Sequence, residues 1–383
     1  MGVRPQAGGQ ELSAFFAALP VAQGDAFLVS SDSFSALIDG GHSRVALPTL
    51  LSKERRSRSL TVLACTHNDA DHAEGLIGLL QDQRFSVSEV WLPGQWTARL
   101  RDLLVGPEAF LGELLHQIVN LGDEAREASL TDLAERYREP IHPQDDNPPT
   151  AELLDDAVES RSRLPAGALR RLAAWWLWWW RPFHDLPAKL LWEAVEAAER
   201  IRQLAYLAWE RATIVRWFDV NLHPDGTHTE PLCPVNAKEI VRVQRTVDAL
   251  RFLALSVSNG RGLCFQFRPG PTAPGVLLTG DSDLKFSASI SWLPGMVVTA
   301  PHHGSEANAF AYHRASNECS SVGSLLWVRS DGKFRSRPGA TFLQQTHRYC
   351  TLCRPYSQGP QTVRLAETGG VWGRKQAHPC RCT

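Results

Sequence analysis

The stretch Cys65-Thr66-His67-Asn68-Asp69-Ala70-Asp71-His72-Ala73-Glu74-Gly75 decides how this chain is read. It follows the apolar run "LTVLA" and sets two imidazoles and two carboxylates within positions 67–72. Four ionisable groups crowded at a strand end repel and desolvate one another unless a cation compensates them. Downstream, "AEGLIGLLQD" repeats apolar residues at helical spacing through Leu76, Leu79 and Leu80, so the motif is expected on a loop between a strand and a helix. Such loops are where rigid sheets present their chemistry.

Two further segments offer ligands of the same kind. Asp281 in "LLTGDSD", and His302 and His303 in "TAPHHGS", each follow an apolar, β-branched run. That pattern predicts that all of these groups sit at strand ends of one sheet. Taken alone, a Gly-Asp or a His-His-Gly-Ser is equally a turn; the density of the first motif is what points to metal. Together the groups suffice for two divalent ions sharing a carboxylate, an arrangement in which metals about 4 Å apart clamp a water-derived nucleophile and the oxygens of a phosphoryl or carbonyl substrate.

Outward from these motifs, "SAFFAAL", "AFLVSS", "SALIDGG" and "LTVLACTH" read as strands, and "TIVRWFDV", "FLALSVSN", "GLCFQFRP", "GVLLTGD", "MVVTAPHHGS" and "SLLWVRSDG" read as a second set. Between them the texture is helical. Leu111, Leu114, Leu115 and Ile118 share a face, as do Leu190, Ala194, Ala197, Ile201, Leu204 and Ala208, while "QDDNPPT" at 144–150 is a loop. The expected organisation is a β-rich half over 1–96, a helical insertion over 97–217, a second β-rich half over 218–340 and a Cys-rich tail over 341–383.

Composition narrows the class. A chain of 383 residues with 43% hydrophobic and 21% charged residues is an ordinary globular protein. A formal net charge of -1 argues against a protein that coats nucleic acid, though not against a nuclease with a locally basic groove. "KERRSR" at 53–58 and "RSDGKFRSR" at 329–337 are basic segments that could steer phosphate or lie as solvated loops. The first residues lack a charged leader, apolar core and cleavage site, which makes the cytoplasm the expected location. The run "LAAWWLWWW" at 172–180 is far shorter than the roughly 20 residues of a membrane span.

The motifs carry a family resemblance. "HNDADH" resembles the signature loop of the metallo-β-lactamase fold, an αββα sandwich, in the variant with Asp where the common form has its second His. With "TGD" and "PHHGS" following in order, it is similar to the hydrolase domain of the ComEC competence proteins; "VAQGDAFLV" resembles that family's Gly-Gln-Gly-Asp-Ala stretch with Ala22 in place of the first Gly, and "ALIDGG" its strand before the metal loop. The resemblance covers roughly residues 12–95 and 250–330. It implies His67 and Asp69 on a first metal, Asp71 and His72 on a second, Asp281 bridging, and His302 or His303 completing the second position. Asp71, Asp281 and His303 then carry the catalysis, and Asp39 and Asp25 buttress ligand histidines. The first position lacks its usual third ligand; His223 and His228 lie in the right interval, as candidate ligands or surface histidines.

The chemistry so implied is a hydrolysis in which a metal-activated water attacks phosphorus, with DNA the expected substrate and a lactone or small phosphoester the alternative. Asp69, a hard oxygen donor, favours manganese over zinc. Whichever of His302 and His303 is not a ligand could contact a phosphate oxygen, as could Ser305, and Asn259 is a turn residue or a family Asn. In the tail, Cys350, Cys353, Cys380 and Cys382 suit a structural zinc or are surface thiols. The Trp run, beside Arg170, Arg171 and Arg181, could stack the bases of a single strand, but is rather expected to fill a helical core or to dock a protein partner. A different class of reading is an interaction subunit with a residual metal site in a multi-protein defence or competence system.

Overall fold

The computed structural model describes residues 14–54, 57–122, 127–137, 167–180, 187–222, 231–240, 247–270, 273–331, 336–354, 357 and 359–383. The strands of the first half are β1 (Ala14–Ala18), β2 (Phe27–Ser31), β3 (Ser35–Ile38), β4 (Ser59–Ala64), β5 (Ser86–Pro93), β6 (Ala212–Asp219), β7 (Leu232–Pro234) and β8 (Lys238–Ile240). Those of the second are β9 (Phe265–Phe267), β10 (Val276–Leu278), β11 (Val297–Thr299), β12 (Leu326–Arg329), β13 (His347–Cys350), β14 (Val363–Thr368) and β15 (Val371–Gln376). The helices the site needs are α1 (Ala46–Glu54), α2 (Ala70–Gln81), α3 (Leu100–Val105), α4 (Pro107–Val119), α5 (Leu130–Arg136), α6 (Ala168–Trp180), α7 (Ala188–Arg211), α8 (Ala249–Ser256), α9 (Ala309–Glu318) and α10 (Ala340–Leu343).

Two mixed sheets result, in the orders β15-β14-β1-β2-β3-β4-β5-β6-β8 and β13-β12-β11-β10-β9-β7. β3 through β6 are parallel to one another, as are β10 through β13. Strands of this kind are apolar on both faces, and the side chains divide by alternation. Phe16, Ile38, Val62 and Leu278 point into a core between the sheets. Ala17, Leu37 and Leu63 point the other way, onto Leu76, Leu114, Ile201 and Leu253 of the helices. On the outer face of the second sheet, Leu277, Val298 and Trp327 meet Tyr312 of α9 and Phe342 of α10. The layers therefore run helices, sheet, sheet, helices.

Several expectations need correction. The ligand segments do not end strands of one sheet: His67 follows β4 of the first, whereas Asp281 and His302 follow β10 and β11 of the second. Hydrophobic period marks where strands end, but sheet membership depends on pairing partners that period does not encode. "FLALSVSN" is not a strand; its first residues belong to α8, where Asp248 caps the helix by accepting from the Arg251 N–H at 2.8 Å. A continuous apolar run serves a buried helix as well as a strand, and this one has no β-branched residue before Val257. The boundary expected at 217 falls inside β6, since the helices end at Arg211. Nor are residues 341–383 an appendage: β13 joins the second sheet, and β14 lies between β15 and β1 in the first. "QDDNPPT", His223 and His228, and Arg181 lie outside the described residues, as do parts of both basic segments.

Among the described residues no helix is long and apolar enough to cross a membrane. Trp175 on α6 is exposed, and the side chains of 176–180 lie outside the description.

Candidate metal centre

The C-terminal ends of β3, β4, β10 and β11 converge, the crevice where open α/β sheets bind ligands. The opening motif straddles a helix start. His67 and Asn68 are on the loop, Asp69 is the residue before α2, and Asp71 and His72 fall in its first turn. The loop is pinned by the helical layer: Asn68 Nδ2 donates to the Ala197 carbonyl and to Ser256 Oγ, each at 3.0 Å, and Arg200 Nε donates to the Asn68 carbonyl at 2.9 Å.

Across the crevice, the "PHHGS" turn takes a left-handed path, with φ of 47° at His302 and 55° at His303. Non-glycine residues hold that region at about 1–3 kcal/mol each, a strain that concentrates at functional sites. Asp39 shares it, with φ of 60°, and this aims its carboxylate beneath the motif.

Each buried histidine is fixed through Nδ1 and presents Nε2. His72 Nδ1 lies 2.8 Å from Asp39 Oδ2 and His303 Nδ1 lies 3.0 Å from Asp25 Oδ1. Thr66 donates its hydroxyl to Asp39 Oδ2 at 2.8 Å, so at 2.9 Å the same oxygen accepts from His67 Nδ1. A carboxylate or an already donating hydroxyl can only accept, which places a proton on all three Nδ1 atoms and aims three Nε2 atoms inward. The Thr66 N–H also donates to Asp39 Oδ1 at 2.8 Å, so one buried carboxylate orients two histidines.

The inward atoms meet at Asp281. Its Oδ1 lies 3.1 Å from His72 Nε2 and 3.7 Å from His303 Nε2, and its Oδ2 lies 3.8 Å from His67 Nε2 and 3.6 Å from His302 Nε2. Asp71 Oδ2 reaches His303 Nε2 at 3.4 Å, and Asp69 Oδ2 reaches His67 Nε2 at 3.5 Å. Among the described residues, His67 Nε2, His72 Nε2, His303 Nε2 and Asp281 Oδ1 are buried without a hydrogen-bond partner. Four orphaned atoms converging on one space fit a cation, because unpaired buried polar groups otherwise cost about 1–3 kcal/mol each. The atoms fall into two sets of metal-ligand spacing, His67 with Asp69 and Asp281, and Asp25 with His72, Asp281 and His303; Asp25 Oδ1 is already taken by His303.

Protons reflect the same charge demand. Burial opposes protonation of His72, but Asp281 and Asp39 hold its pKa well above the usual range. Against the same burial, Asp25 and Asp281 push His303 up to about 10. Burial also opposes ionisation of Asp281, yet the imidazoles of His72 and His303 keep it well below the carboxylate range. The same carboxylates that raise these two pKa values would favour a bound cation in place of a proton.

His302 stands apart. Its Nε2 accepts from Arg337 Nη2 at 3.0 Å, its Nδ1 lies 3.3 Å from Asn308 Oδ1, and burial lowers its pKa. Asn259 Nδ2 is 3.4 Å from the same ring, and Ser305 caps the next turn through Ala307 N–H. Sequence reading missed Thr66, Arg200 and Asn308. Arg200 left a signal, since it lies three residues after Ala197 and four before Leu204, on the apolar stripe. Arg337 closes the basic segment at 329–337, but its contact with His302 depends on tertiary folding.

The four tail cysteines are also brought together, with their sulfur atoms within 4.8 Å of one another, and could hold a second kind of metal. Replacing Asp39 by Asn, which keeps the shape but puts an N–H₂ group against one of its donors, is expected to weaken metal binding by about 10–100-fold without unfolding the chain. Titration calorimetry with Mn²⁺, paired with circular dichroism, measures both; unchanged affinity would remove Asp39 from the positioning role. Against known proteins, no family model and no curated sequence matches this chain.

Proposed function

We propose that this chain is a metal-dependent hydrolase of the metallo-β-lactamase fold that cleaves phosphodiester bonds in DNA. One observation carries the reading: a single buried carboxylate, Asp281, turns Oδ1 toward His72 and His303 and Oδ2 toward His67 and His302. The helix, sheet, sheet, helix layering supports the fold assignment, with the helices between β5 and β6 as its insertion. Ala22 supports it too, for φ of 71° at that residue is a conformation glycine adopts without strain, and the ComEC-like pattern has Gly there. DNA as substrate rests on that motif resemblance.

His67, Asp69 and Asp281 would hold one divalent ion, and Asp71, His72, His303 and Asp281 the other. When bound, such ions lower the pKa of a water and polarise a phosphoryl oxygen. The chain's own groups do the rest. Asp39, Thr66 and Asp25 keep the three Nδ1 protons in place so that each Nε2 lone pair faces inward. Asp69 adds a hard oxygen where the common form has imidazole, which favours manganese. Arg337, held on His302, offers a guanidinium to a phosphate oxygen.

A cavity of about 760 Å³ opens beside Asp281 and His302, with Asn259, Lys285 and Asn308 on its walls. That is the volume of a small-ligand site, and it favours a second reading, hydrolysis of a small phosphoester or lactone. The two separate in one assay of the full chain with Mn²⁺, on single- and double-stranded DNA and on bis(p-nitrophenyl) phosphate. DNA cleavage that disappears in Asp71→Ala is the expected result. Turnover of the small diester with DNA intact would move the assignment to the second reading, and no turnover of any of them with Mn²⁺, Mg²⁺ or Zn²⁺ would remove the phosphodiesterase.

A further inference from the structure

Away from the Asp/His centre, the chain doubles back on itself at its C-terminus. β13 ends on Cys350, and the turn after it carries Cys353. Beyond β15, Tyr349 forms a bridge with Pro379, and the Cys380 N–H donates to the Arg348 carbonyl at 2.7 Å. That pairing lays Cys380 and Cys382 over Cys350 and Cys353. None of the four is in a disulfide, and all but Cys382 are buried.

Their spacing is informative. Cys382 Sγ lies 3.8 Å from Cys350 Sγ and 3.8 Å from Cys353 Sγ. Four sulfurs at about 2.3 Å from a central ion define a tetrahedron whose edge is about 3.8 Å. A disulfide needs about 2.05 Å; two of the six separations match the tetrahedral edge, and all four sulfurs lie within 4.8 Å of one another. The Arg381 N–H donates to Cys353 Sγ at 3.1 Å, a contact that stabilises sulfur as an anion. The Arg329 guanidinium also favours the thiolate of Cys382.

We propose that Cys350, Cys353, Cys380 and Cys382 form a closed tetrathiolate zinc site that fastens the C-terminal segment to β13 and, through it, steadies the turn bearing His303. Four protein sulfurs leave no open position, so the site is structural. On binding, four S–H bonds are replaced by four S–Zn bonds and the protons pass to solvent. The link to His303 is short. The Thr351 N–H, next to Cys350, donates to the Arg329 carbonyl at 3.1 Å, and Arg329 Nε donates to the His303 carbonyl at 2.7 Å. Thr351 Oγ1 also donates to the Asp331 carbonyl at 3.3 Å, and Asp331 Oδ1 accepts from the Gly24 N–H at 3.2 Å. Gly24 in turn packs against the Asp71 backbone.

Cobalt tests the site independently of any hydrolytic reading, because the proposed ligands of the Asp/His centre include no sulfur. Full-length wild-type chain loaded with Co²⁺ is expected to show intense sulfur-to-cobalt charge-transfer absorption and strong visible bands of a tetrahedral ion. One equivalent of Zn²⁺ should bleach both. Asp281→Asn is expected to keep this spectrum and Cys353→Ser/Cys382→Ser to lose it. A folded wild-type chain without charge-transfer absorption overturns the site, and one equivalent of iron retained by purified Asp281→Asn overturns the assignment to zinc. Hydrogen exchange tests the fastening in Asp281→Asn, whose Asp/His centre is expected to be empty: zinc removal should raise exchange at 347–353 and at 300–304 together. A rise confined to the first segment overturns the link to His303.

Discussion

Replacing Asp281 by Asn is expected to empty both metal positions and to lower hydrolytic turnover by on the order of 10³-fold, about 4 kcal/mol of barrier. The side chain is buried and equal in shape to its replacement, so little packing changes. What changes is charge: the one carboxylate facing four imidazole Nε2 atoms becomes neutral. A residue that merely formed a turn after β10 would lose nothing of this size. Metal content by mass spectrometry after exhaustive dialysis against Mn²⁺ separates the cases, and two ions retained per chain in the variant would assign Asp281 to the turn.

The second large effect falls on stability. Gly75→Ala is expected to cost at least about 3 kcal/mol, at the upper end of what overpacking costs. A Cβ at Gly75 would lie 1.9 Å from the Gly40 carbonyl oxygen, far inside van der Waals contact and against rigid backbone. The Gly75 N–H already donates to the Gly41 carbonyl at 2.8 Å, so α2 and the "IDGG" segment are locked at close range. To relieve the clash α2 must move, carrying Asp71 and His72 away from Asp281. Urea unfolding of Gly75→Ala is therefore expected to show a lower midpoint and weaker stabilisation by Mn²⁺. Gly122→Ala is the control, since nothing lies within 4 Å of its added methyl. Equal midpoints for the two variants would mean that the helix tolerates the shift.

The contrast between these residues shows what a sequence makes visible. His67, Asp69, Asp71 and His72 stand out because crowded charge has few inexpensive solutions, and Asp281 and His303 because each follows a run that ends a strand. The structure brings all six together. Asp39 and Asp25 look like turn residues in isolation, and the motif resemblance alone offers them as buttresses; which histidine each one pairs with, His72 and His303, is seen only in the folded chain. The meeting of two sheets at the site, and the return of residues 341–383 into both of them, depend on long-range strand pairing. Local pattern carries no such information. Residues 249–256 became a helix because a short apolar run fits either element and the capping Asp248 settles the choice. The unusual position of Asp69, read from sequence as a preference for a harder metal, has a geometric counterpart in its 3.5 Å approach to His67 Nε2.

Anomalous diffraction from crystals equilibrated with Mn²⁺ tests the two-ion centre most directly. Two peaks about 4 Å apart on opposite sides of the Asp281 carboxylate, one beside His67 and Asp69 and the other beside Asp71, His72 and His303, are the predicted result. Full manganese elsewhere on the chain, with no peak between His72, Asp281 and His303, would contradict it.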